Sequence, residues 1–146
     1  MKRLWLPAFL LILAVSGFAE EKPKVSLTDE VNKSYRVLLD LNNTFEDRKK
    51  AAAHLKDMFV NGKDETVIDA IVDLLLYAYD QSNYKEENDK EYKSDMIALE
   101  LIQILELSGD PRIFPALLNI VVKPNHAQAT IMEAWKAIKM IKWKDK

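Results

Sequence analysis

Gly109-Asp110-Pro111-Arg112-Ile113-Phe114-Pro115-Ala116-Leu117-Leu118 is a joint between two helices. The apolar run before it ends at Leu107. Gly109 is suited to the left-handed conformation that terminates a helix. Asp110 offers a carboxylate to the open N–H groups of the next first turn, and Pro111 takes the first helical position, where its missing N–H costs nothing. Pro115 lies one turn further on and is expected to bend the new helix without ending it.

The flanking segments carry the same alternation of helix and stop. A first helix is expected after Ser26-Leu27-Thr28-Asp29, a capping signal, and runs to about Leu41 with Val31, Tyr35, Leu38 and Leu41 at helical spacing. Thr44-Phe45-Glu46-Asp47 caps a second, with Phe45, Ala52, Leu55 and Phe59 as its stripe, Ala51 and Met58 at the margin, and Asn61-Gly62 as its end. Asp64 caps a third, whose buried stripe is Val67, Ile68, Ile71, Leu74, Leu75 and Ala78. Residues 80–93 are polar and charge-dense and read as a solvated loop whose last residues can start the fourth helix. That fourth helix runs to Leu107 and is apolar almost all round, with Glu100, Gln103 and Glu106 as its only polar strip. Such a helix belongs between neighbours. The fifth carries Ile113, Phe114, Leu117, Leu118 and Val121. After Lys123-Pro124-Asn125, a turn and a new N-cap, the sixth runs from His126 to about Lys142. The expectation is an all-α chain of three helical hairpins stacked as an α-solenoid. An irregular six-helix bundle is the alternative.

The joint at Gly109 to Leu118 resembles the helix-to-helix junction of HEAT-like repeats, of the short bacterial kind found in phycobiliprotein lyases. Asp47-Arg48 followed by Ala51, Ala52 and Leu55 is similar to the Arg-then-Ala pattern of a second repeat helix. Ser94-Asp95 and Gln128-Ala129 hold the comparable places without the Arg. The resemblance covers most of residues 26–146, the HEAT-like domain, and implies a rigid binding surface, with an accessory lyase as the other known use of such arrays.

Met1 to Ala19 has the parts of a cleaved signal peptide: Lys2-Arg3, an apolar run from Leu4 to Val15, and small residues at Gly17 and Ala19. Residues 20–25 are expected to be a disordered leader. The chain has no Cys, which excludes disulfides, thiolate metal sites, a Cys nucleophile and a lipoprotein anchor. Export is therefore expected, to the periplasm first and to the medium as the alternative. Without Lys2 and Arg3 the chain holds 19 basic and 23 acidic residues. The charge is split, with residues 20–110 net −9 and residues 111–146 net +5. The acidic body argues against a nucleic-acid partner.

No catalytic constellation is legible. His54 and His126 are 72 residues apart, no His-Glu pair, Gly-rich phosphate loop or G-x-S-x-G elbow occurs, and neither a metal nor a cofactor is expected. His54 should be partly exposed and His126 should sit in the first turn of the sixth helix. On that helix Ala127, Ile131, Ala134, Ile138 and Ile141 form the packing side. The opposite side collects Met132, Lys136, Lys139, Met140 and Trp143, with Trp135 at the border. Two Met and a Trp among lysines suit three roles: a C-terminal cap, a protein-binding face or a membrane-surface contact. The sequence thus points to a non-enzymatic interaction module of the cell envelope. It binds an unidentified protein, or another copy of itself, through Met132, Trp135, Lys136, Lys139, Met140 and Trp143 and through the strip Glu100, Gln103 and Glu106. A small accessory enzyme and a peripheral membrane binder are the alternatives.

Overall fold

The computed structural model describes residues 26–80, 90–123 and 125–143. The expected signal peptide (1–19), the leader (20–25) and most of the charged loop (81–89) lie outside the described residues. Within them the chain is all-α: α1 (Asp29–Leu39), α2 (Phe45–Val60), α3 (Thr66–Tyr77), α4 (Lys90–Ser108), a 3₁₀ turn (Pro111–Ile113), α5 (Phe114–Val121) and α6 (Gln128–Lys139).

The helices form a ladder. Each hairpin partner packs on the other, α1 on α2, α3 on α4 and α5 on α6. The first helices also pack in series, α1 on α3 on α5, as do the second helices, α2 on α4 on α6. This is the neighbour pattern of three stacked hairpins in two layers, and with only three rungs it is equally a six-helix bundle. α4 touches α2, α3 and α6. That position explains its nearly continuous apolar surface, in which Ile97, Ala98, Leu101, Ile102, Ile104 and Leu105 are all buried.

Several local expectations are corrected. Thr28 does not cap α1 with its side chain; its hydroxyl donates to Asp64 Oδ2 at 2.6 Å, tying the start of α1 to that of α3. Helix α2 ends at Asn61-Gly62 as expected, and the left-handed residue that follows is Lys63 (φ 54°). Gly62 is needed because a Cβ there would lie 2.7 Å from Met58 O. Helix α4 begins at Lys90, so the last residues of the charged segment do start it, as expected. Pro111 opens a 3₁₀ turn rather than an α-helix, and Pro115 falls in the first turn of α5, so the bend becomes a 3₁₀-to-α change. Asn125 does not cap α6, whose N-cap residue is Ala127. The buried side of α6 is Thr130, Ala134, Ala137 and Ile141, rotated from the expected stripe so that Ile131 and Ile138 are half-buried.

The decisive joint forms as its residues dictate. Gly109 has φ +60°, and Asp110 accepts from Arg112 N at 2.9 Å. The chain beyond α6 returns to this joint: Lys142 N donates to Gly109 O at 2.8 Å, and the Trp143 ring meets Phe114 edge-on at 5.7 Å. Arg112 then reaches Asp69 of α3 at 3.0 Å, fixing the third rung against the second.

Buried polar contacts run along the rungs. Arg48, 2% exposed, donates from Nε to Asn43 O (3.2 Å) and from its guanidinium to Tyr79 Oη (3.3 Å) and Ser94 Oγ (3.4 Å). Tyr79 Oη in turn donates to Leu38 O at 2.6 Å. Burial pushes the Tyr79 phenol above its ordinary range, with Arg48 opposing. One residue past Ser94, Asp95 receives His126 Nδ1 (2.7 Å), Ala127 N (3.0 Å) and Thr130 Oγ1 (2.5 Å), and His126 Nε2 reaches Asp80 O at 3.1 Å.

Candidate functional site

Of the places where titratable groups meet, two combine burial or a groove with groups able to exchange protons. The first is the buried Asp95–His126 pair. Both side chains are almost wholly enclosed, and both ring nitrogens of His126 face acceptors, a carboxylate and a carbonyl. Each contact is served only when that nitrogen carries a hydrogen. The Thr130 hydroxyl bonds Asp95, not His126, so the trio has no nucleophile activated by the imidazole. Asp95 acts as a remote cap. Its carboxylate fills the role that neither Asn125 nor Ala127 fills at the start of α6. His126 is thus a buried pairing residue rather than an ordinary first-turn side chain.

The second place is open to solvent. A groove of about 510 Å³ runs over the second-helix layer, from α2 across α4 to α6. Ala52 and Ala53 form its α2 side, and their small side chains leave the space that the groove occupies. Lys56 stands at that edge. Glu100, Gln103, Ile104, Glu106 and Leu107 come from α4, and Glu133 and Lys136 from α6. The strip expected on the fourth helix therefore lines a groove instead of a plain solvent face. Gln103 is exposed, while Glu100 and Glu106 are half-buried. Burial raises the Glu100 carboxyl above its usual range, with Lys49 and Lys56 opposing.

At the α6 wall, Lys136 Nζ lies 3.7 Å from Glu106 Oε2. This joins two candidate sets that the sequence kept apart. Glu133, absent from both, is the residue sequence reasoning missed. Its only signal was its place one turn before Lys136 and three residues from it. Glu133 Oε2 is buried without a hydrogen-bond partner among the described residues. Burial raises the Glu133 carboxyl to about 7, helped by its hydrogen bond to Glu106 and that residue's charge, and opposed by Lys136.

The pH consequence has a definite sign. An unfolded Glu loses its proton near pH ~4.3, whereas the folded chain keeps this one to about 7. Between those values the native state binds the extra proton, so this contribution to stability is full at low pH and is lost as pH rises through 7. Glu133→Gln mimics the protonated form. It should match the wild type in melting temperature near pH 4 and exceed it at pH 8 by a few degrees, read by circular dichroism at both values. Parallel melting curves for the two proteins across that range would contradict the assignment.

The remaining predicted residues lie on the outside of α6 and beyond its end. Met132, Trp135, Lys136, Lys139, Met140 and Trp143 are all exposed, and of these only Lys136 reaches the groove. His54 is exposed, as expected, with its Nε2 3.4 Å from Glu30. Among the described residues no group of three His, Asp or Glu side chains is placed to hold a metal ion, and no helix is long and apolar enough to cross a membrane. Comparison with protein-family models, with curated proteins and with solved structures finds no match to this chain.

Proposed function

We propose that the chain is a non-catalytic protein-interaction module of the cell envelope. It is a short HEAT-like array that holds a protein partner across its second-helix layer. The observation that carries this reading is the groove itself. Three successive second helices contribute to one open surface, small alanines on one side give it depth, and charged groups of both signs stand at its edges. A continuous surface built from equivalent helices is what stacked hairpins offer a partner. Export rests on the Met1–Ala19 segment, and the absence of Cys excludes a lipoprotein anchor.

A photo-crosslinking residue at Gln103, compared with one at Arg36 on α1, tests this in cells producing the full chain. The expected result is a protein adduct at 103 that is absent at 36 and is lost when Ala53→Glu fills the groove. Equal adducts at both positions, no adduct, or one that survives Ala53→Glu would overturn the groove reading.

One observation favours an accessory enzyme instead. Glu133 beside Glu106 is a carboxyl group that can hold or release a proton near neutrality within a groove. That reading requires small molecules that stabilise the wild type but not Glu133→Gln in a thermal-shift panel at pH 7.

A further inference from the structure

The two ends of the ladder are finished differently. At the first end the valley between α1 and α2 has Val37 and Ala51 at its floor but is edged by Lys33, Asp47 and Lys50, and Glu30 pairs with His54 across the same helices. Charged side chains thus guard this end, as a terminal rung needs. At the last end the corresponding surface is apolar. At 100° per residue Phe114, Leu118 and Val121 share one flank of α5, turned away from the α3-facing side that Arg112 marks by its contact with Asp69. Ile131, Trp135 and Ile138 share the matching flank of α6, opposite Glu133 in the groove. Both sets follow the i, i+4, i+7 spacing of a packed helix face. Leu118 is 40% exposed and Trp135 48%, while the other four are half-buried. Trp143 extends the apolar surface at the Phe114 end. Phe114, Val121 and Ile138 also pack on the core, so the open part of this double stripe is centred on Leu118 and Trp135.

What fits is set by shape and charge. Two antiparallel helices leave a valley wide enough for one further helix, at the usual interaxial distance of about 8–10 Å. Helix α6 has 12 residues, so it offers roughly three turns of length. From Pro111 to Trp143 the chain has five basic residues and a single acidic one, Glu133, which faces the groove. Lys139 stands exposed one turn beyond Trp135, and Lys142 is exposed past the end of α6 with its stem over Gly109; neither is in an ion pair among the described residues. A second copy docked symmetrically would bring these lysines against each other, which like-charge repulsion opposes.

We propose that the α5–α6 end face docks an amphipathic helix of a partner protein. Its apolar stripe fills the valley between Leu118 and Trp135, and its acidic flanks meet Lys139 and Lys142. The inference rests on the reading of the chain as a binding module and adds a second surface with a partner of defined chemistry.

The test is selection from a random helical-peptide library on the immobilised full chain, beside Trp135→Glu and Leu118→Glu variants of matching helicity. The proposal expects amphipathic peptides rich in Glu and Asp. They should bind each variant at least about tenfold more weakly, and Lys139→Glu with Lys142→Glu should favour basic peptides instead. Enriched peptides that bind the variants equally, basic peptides on the wild type, or no enrichment would overturn it. Ultracentrifugation showing a dimer that Trp135→Glu dissociates would make a second copy the occupant. Flotation with vesicles of mixed neutral and anionic phospholipid, lost in Trp135→Glu, would make it a membrane. Either result overturns the proposal. The Gln103 crosslink is independent of all these outcomes, so failure here leaves the groove reading standing, and the reverse holds.

Discussion

Asp95→Ala should destabilise the protein by about 3 kcal/mol or more, since each hydrogen bond to a charged group contributes about 1.5–3 kcal/mol and three are lost together. Asp95 is 3% exposed and has three donors aimed at it: His126 Nδ1, Ala127 N and Thr130 Oγ1. Its loss strands a buried imidazole, opens the first turn of α6 and leaves a hydroxyl without its acceptor. Because α6 packs on both α4 and α5, the damage spreads to the whole third rung. Asp95→Asn keeps the shape and can still accept from Ala127 N, so it should cost less than Ala. Urea unfolding of both variants, with His126→Ala and the double mutant, gives the coupling directly. A single-mutant cost below about 1 kcal/mol, the value of an ordinary hydrogen bond, would show that another group holds α6 in place.

Arg48→Met is expected to cost about 2–3 kcal/mol, in the range for hydrogen bonds made by a charged group. Methionine retains the apolar stem, so the loss isolates the guanidinium. Among the described residues Arg48 has no carboxylate partner. It is held by the Asn43 carbonyl, the Tyr79 hydroxyl and Ser94 Oγ. Three contacts on α2's own approach, the end of α3 and the start of α4 need a planar fork, so Arg48→Lys should recover little. Tyr79→Phe should cost about 1 kcal/mol, and less once Arg48 is gone. Guanidinium-chloride unfolding separates these values. Recovery by Lys would mean that charge alone, not fork geometry, holds the site.

These two residues also mark the limit of what the chain discloses on its own. Helix order was readable because apolar spacing is a local property, and the Gly109–Pro111 joint was readable because capping chemistry spans only a few residues. The exposure of Met132, Trp135, Met140 and Trp143 followed from the same periodicity. Arg48 and Asp95 are different. Each looks like a solvated charge at the start of a helix, and each is buried by partners 31 to 46 residues away. No local rule sees such partners. The groove failed to emerge for the same reason. Glu106 and Lys136 were each singled out, but on separate helices, and Glu133 is raised only because α6 lies against α4.

The ladder has a consequence for how the protein is made. Among the described residues the main helix contacts lie within a hairpin or between neighbouring hairpins, so the principal pairings do not join the two ends of the chain. Low sequence separation keeps loop-closure costs small and favours rapid assembly. A chain delivered from its N-terminus, by a ribosome or through a translocation channel, can therefore close α1 on α2 first. It can then add α3 with α4 as they emerge, with Tyr79, Ser94 and Arg48 meeting at that step. The last hairpin is complete only when Lys142 reaches back to Gly109. The segment past α6 thus closes the third rung, and a chain cut before Lys142 leaves that rung unlatched.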